Sequence, residues 1–167
     1  MKYDSKQDTQ SHIARVTDLL EYVTMIIERR AAKHDASKLG KPEKHIFDEV
    51  TPALRGMTYG SDEYKESLSK MKPALDHHYE KNSHHPEHYE NGVEDMTLID
   101  LIEMLADWKA ATERHADGSL RKSLEINEER FKIPSSIIKI LKNTAQDLGW
   151  VGEELRNKPT EGNETER

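Results

Sequence analysis

Thr97-Leu98-Ile99-Asp100-Leu101-Ile102-Glu103-Met104-Leu105-Ala106-Asp107-Trp108 is the stretch that decides the fold. Thr97 suits an N-cap, and the apolar residues that follow recur at helical spacing, so a helix is expected from here to about His115. Turned at about 100° per residue, it puts Leu98, Leu101, Leu105 and Trp108 on one side. Asp100, Glu103 and Asp107 form a narrow strip opposite, flanked by Ala106, Ala110 and Ala111. Small residues beside carboxylates let neighbours come close, as in a central helix whose acidic stripe faces a site. Lys109 falls inside the apolar arc, so that arc is not expected to be wholly buried.

The same periodicity runs outward in both directions. Upstream, Ile13, Val16, Leu19, Leu20, Val23, Ile26 and Ile27 predict an amphipathic helix from about Thr9 to Arg30, with His12 at the edge of its core-facing stripe. After Ala31-Ala32 come Lys33-His34-Asp35-Ala36-Ser37-Lys38, expected on a short helical turn ended by Gly40. Pro42 suits the first turn of another helix, with Ile46, Phe47, Val50 and Leu54 as its apolar face. Gly56 to Gly60 reads as a loop, and a helix from about Ser61 to Glu80 follows, with a bend expected at Pro73.

Lys81 to Asp95 has no period and reads as a loop, long for a compact domain and therefore a functional candidate. Downstream, a helix is expected from about Ser119 to Phe131, and a last one opened by Pro134 and Ser135 and stopped by Gly149. Residues 1–8 are expected to fray, 9–151 to form a single domain, and the charged segment 152–167 to be disordered. No strand pattern persists, so the expected fold is an all-α bundle of about five to seven helices.

Composition narrows the function classes. Of 167 residues, 34% are hydrophobic and 34% charged, which favours helices with thin apolar stripes over a sandwich or barrel. A net charge of −7 argues against general nucleic-acid binding. It leaves room for a small anionic substrate, since a bound cation and a local lysine reverse the sign within a pocket. No apolar run approaches membrane-spanning length, the N-terminus lacks a signal-peptide core, and there is no cysteine, so a cytoplasmic protein is expected. A homodimer is left open.

Without thiolates, metal chemistry falls to imidazole and carboxylate, the ligands that Mn, Fe, Co and Zn accept. Three stretches supply them: the His34-Asp35 pair, the run His77-His78-Tyr79-Glu80-Lys81-Asn82-Ser83-His84-His85-Pro86-Glu87-His88, and the helix with Glu103 and Asp107. A single helix histidine such as His12 is more often packed or solvated than ligating. The pair His34-Asp35 alone also suits a helix start, and Asp107 alone a solvated ion pair. Taken jointly, the three stretches are expected to meet at one metal site.

Helix histidine, His-Asp pair, histidine cluster and late aspartate, in that order, resemble the HD superfamily of metal-dependent phosphohydrolases over about residues 10–115. The pieces are Ser11-His12-Ile13, His34-Asp35-Ala36-Ser37-Lys38, His78 with His84-His85, and Leu105-Ala106-Asp107-Trp108. The chain is most similar to an uncharacterised HD-like family of phages and bacteria, through Asn82-Ser83-His84-His85-Pro86-Glu87 and Glu103-Met104-Leu105-Ala106-Asp107-Trp108.

The resemblance implies that His12, His34, Asp35 and Asp107 hold one metal, and that His78 with His84 or His85 holds a second, bridged by Asp35. It implies Lys38 as a fixed charge for a phosphate oxygen. Glu103, one turn before Asp107, becomes a partner that orients an imidazole, or a base for the water. The implied activity is hydrolysis of a phosphoester in a nucleotide or similar small phosphate compound. The chain lacks the Gly-Tyr-Pro of the cyclic-dinucleotide phosphodiesterases, and has Lys38 where small nucleoside-monophosphate phosphatases place Glu, which points to the two-metal branch. That branch also holds di-iron oxygenases, the rival reading; a metal-stabilised interaction module without turnover is the third.

Overall fold

A computed structural model describes residues 4–55, 62–114 and 118–151. The expected loop at 56–60, His115 and the tail at 152–167 lie outside the described residues. The protein is all-α: six α-helices and three short 3-10 turns, with no strand among the described residues. Its contacts divide the chain into two compact units, Met1–Asn82 and Ser83–Arg167.

In the first unit, helix α1 (Lys6–Ala31) leads through a 3-10 turn (Ala36–Leu39) into α2 (Glu43–Arg55) and then α3 (Asp62–Lys81). The turn forms where Asp35 takes a left-handed conformation, φ 55°, which aspartate tolerates better than most residues, and Gly40 closes it by donating its N–H to the Ser37 carbonyl at 3.1 Å. Helices α2 and α3 pair closely and the turn lies against both. Among the described residues of α3, Ser67, Ala74 and His78 are buried, spaced seven and four apart, so one helical face carries these three. Pro73 sits inside α3.

Apolar burial here is thin. Among the described residues of this unit only Val50 and Ala74 are buried hydrophobics, while Glu43 and His78 are more deeply buried than Val50. An interior of that kind holds only if its polar atoms are paired, because an unpaired buried polar group costs on the order of 1–3 kcal/mol.

Helix α1 corrects one expectation. Its apolar stripe exists, but none of its residues is buried, and Ile13 and Leu20 are 58% and 61% exposed. Periodicity says which residues share a face; it does not say that something covers that face.

In the second unit, 3-10 turns at Pro86–His88 and Gly92–Asp95 precede α4 (Leu98–Thr112), α5 (Leu120–Arg130) and α6 (Ser135–Asp147). The stretch read as a loop is thus anchored, with His84, Pro86 and Val93 buried. Met104, Leu105 and Trp108 of α4, Leu120 and Leu124 of α5, and Ile138, Leu141 and Ala145 of α6 form one apolar core. The Trp108 and Phe131 rings stack within it, 6.2 Å apart and 5° from parallel. Gly149 ends α6 as expected: at φ 68° it lets its own N–H reach the Gln146 carbonyl and the Trp150 N–H reach that of Ala145.

The buried side of α4 is rotated from the one read in the sequence. Leu98 is 64% exposed, Ala106, Ala110 and Ala111 are exposed, and Asp100 is buried with Met104 and Leu105. The reason is the cap. Thr97 and Asp100 form a capping box, the Asp100 carboxylate accepting from the Thr97 N–H at 2.9 Å while the Asp100 N–H donates to Thr97 Oγ1. The same carboxylate accepts from Ser83 Oγ at 2.7 Å and Tyr89 Oη at 2.9 Å, which pins the irregular segment to the helix start. Lys109 is half-buried and paired with Glu113 at 2.9 Å, in keeping with an arc that is not sealed.

Candidate metal centre

In the first unit the site grows from the α2–α3 pairing. His78 is the last buried residue of the α3 face, so its ring enters the interior beside the turn carrying Asp35. His78 Nε2 lies 3.3 Å from Asp35 Oδ1, and His34 Nε2 lies 3.7 Å from Asp35 Oδ2. Lys38 Nζ pairs with Asp35 Oδ2 at 2.6 Å, one 3-10 turn along. Burial alone would raise the Asp35 carboxyl. Hydrogen bonds from His78 and Lys38 and the charges of Lys38 and His34 outweigh it and hold the group well below the usual carboxylate range.

On its other edge, His78 Nδ1 lies 2.9 Å from Glu43 Oε2, and the second oxygen of Glu43 takes His77 Nδ1 at 2.7 Å. Asn82 frames the ring by donating to Ser37 Oγ at 2.8 Å and to the His78 carbonyl at 2.7 Å. Glu43 is fully buried, which would raise its carboxyl, yet hydrogen bonds from His77, Ser37 and His78 hold it below its usual range. The sequence reading missed this residue, although a signal was there. Glu43 stands four residues before Phe47 and seven before Val50, on the stripe already taken as the buried face of α2.

In the second unit, His84 is buried and its Nδ1 lies 3.2 Å from Glu103 Oε1, while the His85 ring is 4.1 Å from the His84 ring. Glu103 thus has an imidazole within hydrogen-bond reach. That imidazole belongs to His84, the more buried of the adjacent pair, which turns a buried Nε2 away from the carboxylate. Asp107, one turn further along α4, is half-buried.

A buried group of His, Asp and Glu side chains could hold a metal ion. His12 is not part of such a group: it is exposed on α1, none of whose residues is buried. The donor set fits a borderline divalent cation, nitrogen and carboxylate oxygen without sulfur. The spacing fits too. Two ligands each about 2.0–2.1 Å from one tetrahedral ion are separated by roughly 3.3 Å, and that is the separation of His78 Nε2 from Asp35 Oδ1.

Fold and side chains together define an all-α protein with buried His/Asp/Glu groups that could hold a metal ion. The chain belongs to a family of unknown function (DUF5662), whose model matches residues 1–151. No curated protein and no solved structure matches it. Among the described residues no helix is long and apolar enough to cross a membrane.

Proposed function

We propose that Asp35 and His78 are ligands of a divalent metal centre that hydrolyses a phosphoester in a nucleotide or similar small phosphate compound. The observation that carries the reading is the facing of His78 Nε2 and Asp35 Oδ1 at 3.3 Å, beside a fully buried Glu43 and with Val50 and Ala74 the only buried hydrophobics among the described residues of this unit. His34, adjacent to Asp35, adds a second imidazole at the other carboxylate oxygen.

When bound, the cation acidifies a coordinated water to a pKa of about 7–9 and neutralises phosphate oxygens. The chain's own residues do the rest. Asp35 is held ionised and offers both oxygens. Lys38 keeps a positive charge at the carboxylate where an incoming phosphate would add negative charge, the role expected of it from the sequence. Glu103 holds His84 in one orientation and is the candidate proton acceptor. That His84 or His85 and Asp107 also ligate rests on the HD resemblance, as do the two-ion count and the phosphoester substrate.

The test joins two measurements on the purified full chain. Elemental analysis should find near-stoichiometric Mn, Fe, Co or Zn, and a nucleotide panel with added Mn²⁺ should release phosphate. Metal without phosphate release, but with oxygen consumption and a di-iron absorbance, would favour the oxygenase; metal with neither activity would leave the non-catalytic module. Absence of bound metal would end the reading.

A further inference from the structure

We propose that Glu43 is a positioning residue of this metal centre, one buried carboxylate that holds His77 and His78 by their Nδ1 atoms and so presents His78 Nε2 as the ligating atom. The inference rests on the metal-centre reading above and adds a residue to it.

An ionised carboxylate only accepts hydrogen bonds. Glu43 Oε2 lies 2.9 Å from His78 Nδ1 and Glu43 Oε1 2.7 Å from His77 Nδ1, which assigns the hydrogen to both Nδ1 atoms; the Asn82 amide, 3.0 Å from His78 Nδ1, has its two hydrogens directed to Ser37 Oγ and the His78 carbonyl. A neutral His78 then has its lone pair on Nε2, the atom facing Asp35 Oδ1 at 3.3 Å. A cation at that position takes the place of the Nε2 proton that otherwise donates to Asp35.

Glu43 thus does two things at once: it selects the tautomer that can ligate, and it fixes the ring plane. The second arm to His77 stops the carboxylate from rotating away, since each oxygen is committed to a different ring. Complete burial of Glu43 removes water as a competitor for either bond. A carboxylate on the far nitrogen of a ligating histidine is worth about 10–100-fold in metal affinity.

The experiment uses the full chain, metal-free, labelled with ¹⁵N-histidine, and Zn²⁺ as the probe. Long-range ¹H–¹⁵N correlation should show neutral His78 protonated on Nδ1 in the wild type and a mixture of tautomers in Glu43→Gln. Competition against a chromophoric chelator should show Zn²⁺ affinity falling about 10–100-fold in Glu43→Gln, with helicity by circular dichroism retained. A residue that merely joins α2 to α3 would not move the tautomer. Glu43→Gln binding Zn²⁺ as tightly as wild type would overturn the assignment, and so would a wild-type His78 protonated on Nε2 when neutral. The second outcome decides even if the variant does not fold. A wild type that binds no Zn²⁺ defeats the metal-centre reading itself, a failure visible before any variant is made.

Discussion

Asp100→Asn removes a charge from the buried carboxylate that organises the start of α4, and the structure sets the size of the effect. One oxygen, Oδ1, accepts from Ser83 Oγ at 2.7 Å; the other, Oδ2, accepts from Tyr89 Oη, the Thr97 N–H and Thr97 Oγ1. An asparagine amide keeps one acceptor oxygen for the Oδ2 side, and the Ser83 hydroxyl can turn to accept from the new NH₂. What is lost is charge assistance, about 1 kcal/mol for each of the Oδ2 bonds, or roughly 3 kcal/mol together. Both tryptophans of the chain, Trp108 and Trp150, lie in or against the same core, so tryptophan emission during urea unfolding reads this unit.

With a urea dependence of about 1–3 kcal/mol per molar, the midpoint should fall by about 1–3 M. The pH dependence follows with a definite sign. Burial would raise the Asp100 carboxyl, but hydrogen bonds from Thr97, Ser83 and Tyr89 hold it well below the usual range. A depressed folded-state value means the stabilisation is fully present above the unfolded value of about 3.9 and is lost as pH falls through the folded one. The gap between wild type and Asp100→Asn should therefore be constant from neutral pH to about pH 5 and shrink below about pH 4. A midpoint within about 0.3 M of wild type at neutral pH, or a gap that widens on acidification, would refute this account of the cap.

Other substitutions probe the remaining claims. Asp35→Ala should lose most of the bound metal by elemental analysis while keeping its helicity; full retention would remove Asp35 from the centre. Lys38→Gln should keep the metal and reduce phosphate release by about 10-fold or more, since a fixed charge at a phosphate contributes chiefly when charge develops; equal rates would show that Lys38 serves only Asp35. Leu105→Ala, in the core, should cost about 2–5 kcal/mol in urea unfolding, whereas Leu20→Ala, on the exposed face of α1, should cost under about 1 kcal/mol. Comparable losses would mean that something covers α1. Gly149→Ala forces a side chain into a left-handed position and should cost about 1 kcal/mol; an unchanged midpoint would contradict that C-terminal turn.

The helices were legible because their causes are local. Apolar spacing marked α1, α4 and α6, Thr97 announced a cap that the structure forms, and Gly149 announced a stop. The His34-Asp35 turn was legible for the same reason, aspartate tolerating the left-handed step that Gly40 then closes. His78 and Glu103 were legible by residue type, since few other reasons place imidazole and carboxylate so densely in a chain without cysteine.

Tertiary structure decided the rest, because each remaining question concerns which groups meet across distance in the chain. That α1 keeps its apolar stripe exposed depends on what packs against it, a quantity that periodicity does not contain. That Glu43 and Asp100 are interior carboxylates depends on partners 34 and 17 residues away. Their burial is tolerated only because those partners arrive. A sequence shows a carboxylate on a buried stripe, and only the fold supplies the donors that let it stay ionised there.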